Sequence, residues 1–141
     1  MRVVLRFCFA LLLLAGTAAR AADVADEDRA QIKSVIERQL AAFARDDADA
    51  AFGFASPGIQ RQFGTADTFM AMVRSDYRAV YRPRSVSFGA LKHVENNLVQ
   101  IVDLIGPGGE SVRALYIMER DSNGAWRING VSLVPGTQKE T

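Results

Sequence analysis

Residues 77–84 read Tyr-Arg-Ala-Val-Tyr-Arg-Pro-Arg, and they mark the point where the sequence changes from a helical to an extended pattern. Before this stretch, apolar residues recur every three or four positions, which is typical of amphipathic helices. Pro83 fixes its own backbone and favours an extended conformation for Arg82, so a helix cannot continue through this point. After it, the apolar pattern has period two. The sequence therefore predicts an α+β domain, with helices first and an antiparallel sheet second.

The first 21 residues have the features of a signal peptide. Arg2 and Arg6 precede an apolar run over residues 7–15, and the segment ends in Ala19-Arg20-Ala21, a small-x-small cleavage site. The apolar run is shorter than the roughly 20 residues that a membrane-spanning helix needs. We expect cleavage after Ala21, export to the bacterial periplasm or the cell exterior, and no stable membrane insertion of the mature chain.

The rest of the chain has the size and composition of one globular domain. The full sequence has 141 residues with 23% charged. Cleavage would remove three arginines from a chain of net charge +1, and the resulting negative balance argues against nucleic-acid binding. The single Cys8 would leave with the signal peptide and His93 is the sole histidine, so we expect no metal site and no other cofactor. The predicted divisions are a signal peptide at 1–21, a domain at 22–135 and a flexible tail at 136–141.

Three helices are predicted in the first half of the domain. The first follows a cap at Asp26 and carries an apolar stripe that ends near Phe43. The second follows the acidic pair at 46–47. The third is capped by Thr65, and a short helical turn beginning at Pro57 lies before it.

Four strands are predicted in the second half, joined by short polar links rich in Gly and Asn. Links of this kind produce antiparallel hairpins. The predicted strands cover residues 84–94, 98–106, 110–120 and 125–134.

Strict alternation assigns the strand side chains to two faces. Even-numbered positions of the first three strands, from Val86 to Met118, and odd-numbered positions of the fourth, from Arg127 to Leu133, would face the helices. The opposite face would carry Trp126 and Ile128 among other apolar residues. Exposed apolar patches of more than a few hundred Å² usually mark interfaces, and here both faces are apolar. We therefore expect a homodimer through the sheet face with Trp126 and Ile128.

Several motifs resemble the exported DUF4864 family. They extend over nearly all of the mature chain, and the Tyr-Arg-Pro-Arg segment is the most specific of them. The resemblance implies a nuclear transport factor 2-like, or cystatin-like, cone in which three N-terminal helices pack on a curved four-stranded sheet. The family is one of unknown function, so the resemblance implies no catalytic residue. The matching motifs are Gln39-Leu40-Ala41-Ala42-Phe43, Asp46-Asp47, Ala51-Phe52, Ala55-Ser56-Pro57, Phe63-Gly64, Phe69, Met72-Val73, Val80-Tyr81-Arg82-Pro83-Arg84, Met118-Glu119-Arg120 and Trp126-Arg127-Ile128.

A cluster of basic residues surrounds the change from helix to sheet. Its members are Arg74, Arg78, Arg82 and Arg84. Guanidinium groups suit the recognition of carboxylates or phosphates, and Tyr81 would add a flat wall beside them. The alternative is that Arg82 or Arg84 ties the hinge to the acidic turn at 46–47 or to backbone carbonyls, as a structural brace.

The predicted pocket lies between the helices and the even-numbered sheet face. Gln100, Tyr116 and Tyr81 would be its polar contacts on apolar walls. With Arg82 and Arg84, these residues form the predicted ligand-binding set. The predicted function is non-catalytic binding of a small apolar or anionic ligand, or of a protein partner, in the cone.

Two alternatives stay open, and one is chemistry in the cone. Ketosteroid isomerase-like cones are similar in outline and place a carboxylate base inside. Here the helix-facing positions inside the strands, which begin at Val112 in the third strand, carry no Asp or Glu, and Asp103 is expected to pair with Arg113 on the other face. The sequence therefore predicts no catalytic residue. The other alternative is a purely structural or assembly role.

Overall fold

The computed structural model describes residues 24–137, in which five helices precede a four-stranded antiparallel sheet. The predicted α+β arrangement is confirmed, although the helices number five rather than three. The predicted signal peptide at 1–21 lies outside the described residues, as do the last four residues of the predicted tail. The helices are α1 (Asp26–Ala44), α2 (Ala48–Gly53), α3 (Pro57–Phe63), α4 (Ala66–Asp76) and α5 (Arg78–Tyr81). The strands follow in spatial order as β1 (Ser85–Val94), β2 (Asn97–Ile105), β3 (Ser111–Arg120) and β4 (Trp126–Pro135).

Side-chain caps set the starts of three helices. Asp47, Ser56 and Thr65 each accept a hydrogen bond from a backbone N–H in the first turn of α2, α3 and α4, respectively. The predicted cap at Asp26 is wrong, because Ala25 holds the cap position and Asp26 is already helical. An acidic first turn still complements the positive end of the helix dipole. Between residues 24 and 137, no helix combines the length and hydropathy needed to cross a bilayer.

The change from helix to sheet falls where residues 77–84 predict it. Tyr77, with φ −129°, interrupts the helix after α4, and the short α5 follows. Arg82 leaves the helical conformation with φ −142°, as expected for the residue before Pro83. The first strand then begins at Ser85.

A β-bulge in β1 overturns the predicted alternation at Leu91. Phe88 pairs with Val102, but the register then shifts so that Leu91 pairs with Gln100. One extra residue in a strand moves all later side chains to the opposite face. Leu91 is therefore buried on the helix side, not on the outer face.

A second bulge, in β4, overturns the predicted position of Trp126 and Ile128. Ile117 of β3 pairs with Gly130 of β4. The next residue of β3, Met118, pairs with Ile128, so Asn129 has no partner in the ladder. Ile128 belongs to the core, and Trp126 packs against it. The prediction that these two residues lie on the outer face is wrong, because alternation read along one strand does not reveal a residue that its partner strand skips.

The core lies between the helices and the helix-facing side of the sheet. Ile32, Ile36 and Phe43 of α1 are fully buried in it or nearly so. The two central strands supply Val102, Leu104, Ala114 and Tyr116 to the same cluster. On the outer face, Val99 and Ile101 are only 7% and 8% exposed, so the side chains of that face largely shield one another.

Candidate functional site

A cavity of about 380 Å³ lies between the helices and the β4 side of the sheet. This volume is in the range of sites for small molecules. Residues from α1, α3, α4, α5, β3 and β4 line it, so its walls come from both halves of the chain. The lining residues are Gln39, Phe43, Ala55, Ile59, Gln62, Phe63, Phe69, Met72, Val73, Asp76, Tyr77, Val80, Ile117, Ile128, Gly130, Val131 and Ser132.

An aromatic cluster forms the helical wall of the cavity. The ring centroid of Phe69 lies 6.2 Å from that of Phe43 and 5.7 Å from that of Phe63. Phe52 supports the group from outside the cavity, with its ring 5.3 Å from Phe69. Aromatic pairs at this spacing stabilise one another beyond the area that they bury. Met72 extends it with a flexible apolar side chain.

The bulge of β4 shapes the opposite wall. The segment Phe54–Ser56 pairs with β4 there, through Ser56 N–H to Ile128 O at 2.9 Å and Ile128 N–H to Phe54 O at 2.9 Å. The Ser56 hydroxyl donates to Asn129 Oδ1 at 2.8 Å. These bonds hold the skipped residue Asn129 in place. They also bring Ile128, Gly130 and the residues after it against the helices.

Gln39 is the buried polar group of the cavity. Its side chain is 3% exposed, and Nε2 donates to the carbonyl oxygen of Ala51 at 3.1 Å. Within residues 24–137 no donor bonds its Oε1. Gln39 therefore offers a hydrogen-bond acceptor on an otherwise apolar wall.

Exposed polar groups lie where the cavity opens. Asp76, at the end of α4, and Ser132, on β4, are both exposed and both line the cavity. Asp76 accepts a hydrogen bond from the hydroxyl of Ser75 at 2.9 Å. Among the described residues that line the cavity there is no Lys, Arg, His or Cys. Within residues 24–137, no group of three or more His, Cys, Asp or Glu residues is placed to hold a metal ion.

None of the five predicted ligand-binding residues lines this cavity. Gln100 is 3% exposed, and its Nε2 donates to the carbonyl oxygens of Gly89 at 3.0 Å and Ile101 at 2.8 Å. Because Gly89 lies at the β1 bulge, where the ladder is interrupted, Gln100 satisfies backbone groups that the bulge leaves open.

Tyr116 pairs with Gln100 across the two central strands, so the structure brings these two predicted residues together. The Tyr116 side chain is completely buried, and its hydroxyl has no hydrogen-bond partner within residues 24–137. Burial raises the pKa of this phenol because the charged form would lose its hydration. The residue therefore stays neutral at physiological pH and acts as part of the core.

Tyr81 and Arg82 meet at the carboxylate of Asp46. Arg82 donates to Asp46 Oδ2 at 3.0 Å, Arg74 donates to Oδ1 at 3.4 Å, and the Tyr81 hydroxyl donates to Oδ1 as well. Arg82 also donates to the carbonyl oxygen of Phe43 at 2.6 Å. The hydrogen bond from Tyr81 is the main cause of the lowered pKa of Asp46, and Arg74 and Arg82 lower it further. This cluster joins the C-terminal end of α1 to α4 and α5.

Arg84 lies apart from this cluster. Its backbone N–H donates to the carbonyl oxygen of Ile105 at 2.7 Å, and its guanidinium lies near Gly109 in the β2–β3 turn. On the outer face, Arg113 and Asp103 form the expected pair, with bonds of 2.8 and 3.2 Å. The predicted pairing of Asp103 with Arg113 is confirmed.

Sequence reasoning missed the cavity because its residues were assigned to the core. Phe69, Met72 and Val73 recur at the helical spacing of a buried stripe, which is the pattern of an ordinary core. The clearest signal was Gln39, a polar residue beside the apolar stripe of α1.

A solved structure and a family model match the chain. The crystal structure of an NTF-2 like protein of unknown function from Burkholderia xenovorans LB400 is similar, with a TM-score of 0.46 and 17% sequence identity over 80% of this chain and 88% of that chain. Among curated proteins, none matches the chain. The model of the domain of unknown function DUF4864 matches residues 25–141, which is most of the sequence. The chain therefore belongs to the DUF4864 family, as its motifs predict.

Proposed function

We propose that this protein binds a small apolar ligand, without transforming it, in the cavity between the helices and β4. The observation that carries the proposal is the wall of Phe43, Phe63 and Phe69 around a volume of about 380 Å³. Concave sites with mostly apolar walls and a few polar groups are typical of ligand pockets.

The lining favours binding over catalysis. Acid-base chemistry needs a base held against the substrate, preferably with its pKa shifted toward neutrality. Asp76 is the one carboxylate among the described residues that line the cavity, and it is exposed to solvent. The apolar walls provide binding area, and the polar groups orient what is bound.

The test uses the neutral fluorescent probe N-phenylnaphthylamine, whose emission rises in apolar surroundings. We expect the protein to bind it. Met72→Trp should weaken binding at least about tenfold, because the larger ring would occupy the cavity, while Ala71→Trp on the exposed side of α4 should bind like the wild type. Val131→Trp, on the helix-facing side of β4, fills the cavity from the strand and gives a second blocking variant.

Thermal unfolding of each variant checks that it is folded. Two results would contradict the proposal: a wild-type protein that does not bind the probe, or folded Met72→Trp and Val131→Trp variants that bind it as tightly as the wild type does.

A further inference from the structure

The buried polar group of the cavity, Gln39, offers an acceptor. Gln39 Nε2 is bonded to Ala51 O at 3.1 Å, which fixes the orientation of the amide and leaves Oε1 as its polar atom for the cavity. Gln39 is 3% exposed as a residue, but its Oε1 keeps some accessible surface, because the Tyr116 hydroxyl is the one fully buried polar side-chain atom without a partner within residues 24–137. Oε1 can therefore be reached from the cavity, and a ligand that brings a donor would replace water there.

The charge at the cavity is negative. Asp76 lines it, and no described lining residue is basic. Arg74, on α4, and Arg82, directly after α5, are bonded to Asp46 instead. An anionic group in the cavity would therefore lose hydration without gaining a cation, and it would lie near the carboxylate of Asp76.

From these two observations, and on the basis of the proposed function, we propose that the cavity selects an apolar ligand that carries a hydrogen-bond donor and no negative charge. The donor, an N–H or O–H group, bonds Gln39 Oε1. A cationic or neutral polar end lies toward Asp76. The arginine cluster suggested an anionic ligand, whereas the cavity is expected to favour a neutral or cationic one.

Three probes that share one skeleton test the selection. N-phenylnaphthylamine has one N–H donor, its N-methyl derivative has none, and anilinonaphthalene sulfonate keeps the N–H but adds a negative charge. We expect the first to bind the wild-type protein about 3- to 10-fold more tightly than the second, which is the effect of one hydrogen bond. The sulfonate should also bind more weakly than the first probe.

Two variants assign the selection to residues. In Gln39→Leu, the ratio of the affinities for the N–H and N-methyl probes should fall to near one. In Asp76→Lys, the affinity for the sulfonate relative to the neutral probe should rise several-fold. Asp76 is exposed, so this second variant is compatible with folding even if Gln39→Leu is not.

The outcomes separate this inference from the proposed function. If the neutral probes bind and Met72→Trp blocks them, but the wild-type protein does not distinguish the three probes, the selection is wrong and the binding function stands. If no probe binds, both fail. Preference for the sulfonate would show an anion site and would overturn the inference directly.

Discussion

Asp46 accounts for the position of two of the four arginines between residues 74 and 84. It binds Arg74 and Arg82, and Arg82 also reaches a carbonyl oxygen at the end of α1. The prediction that Arg82 ties the hinge to the acidic turn is confirmed by these contacts. Asp46 itself has a positive φ of 56°, which Asp and Asn tolerate better than most residues.

Replacing Asp46 with Asn should lower the melting temperature by a few degrees at neutral pH, because the carboxylate is lost while the backbone is still accommodated. Bonds from Tyr81 and the arginines lower the pKa of Asp46 in the folded state. Its contribution is therefore complete above the unfolded pKa of about 3.9 and is lost as the pH falls through the folded value. Melting curves recorded from neutral pH down to about pH 2 should show the difference from the wild type shrinking.

Asp49→Asn is the control for this experiment. Asp49 is exposed on α2 and has no ion pair within residues 24–137, so its replacement should change the melting temperature much less. A difference between wild type and Asp46→Asn that does not change with pH would contradict the assigned role.

At the scale of elements, the bulge in β4 determines what the strand contributes. It turns Ile128 into the core and places Trp126 against α1, where the indole N–H donates to Asp28 Oδ1 at 3.1 Å. The same bulge is the point at which Phe54–Ser56 pairs with the strand and the cavity wall begins. The unpaired residue Asn129 therefore affects the core, the packing of α1 and the candidate site.

Deleting Asn129 should remove the bulge and still leave a folded protein. Ile128 would then directly precede Gly130 and stay opposite Met118, so Ile128 and Trp126 would keep their places in the core. The deletion and Asn129→Ala both lose the hydrogen bond from Ser56, so each should cost about 1 kcal/mol. Denaturant unfolding monitored by circular dichroism compares the two variants, and a deletion variant that no longer unfolds cooperatively would refute the argument.

At the scale of the whole molecule, the homodimer stays a prediction, but residues other than Trp126 and Ile128 would form its interface. Trp126 and Ile128 pack against the helices. The apolar residues of the outer face are Val99, Ile101, Leu115 and Ile117, with Val94, Ile105 and Val134 nearer the strand ends. Two of these are already nearly buried in the single chain, which reduces the apolar area that a partner could cover.

Sedimentation at concentrations on the order of tens of micromolar tests the dimer. We expect the wild type to sediment as a dimer and Leu115→Arg as a folded monomer, because a charge at the centre of the face would oppose association. Val94→Arg, at the exposed end of β1, is the control and should stay dimeric. A wild-type protein that is monomeric throughout this range would exclude the interface.

The candidate site also belongs to the scale of the whole molecule. Its walls come from helices in the first half of the domain and from strands in the second, so no local stretch of sequence contains it. The apolar residues of α4 were predicted to be buried, and sequence periodicity does not distinguish a residue that fills a core from one that borders a cavity. Gln100 and Tyr116 were predicted to face the helices and do so, but they lie in the filled part of the core.

The sequence by itself determined the order of helices and strands, the position of the change between them and the pairing of Asp103 with Arg113. These features follow from local chemistry: Pro83 ends helical conformation, the caps of α2, α3 and α4 lie next to the turns that they stabilise, and short links bring neighbouring strands into register. Only the tertiary structure decided which face Trp126 and Ile128 occupy and where the cavity lies. A bulge is a relation between two strands and a cavity is space left by several elements, so neither is a property of any one segment.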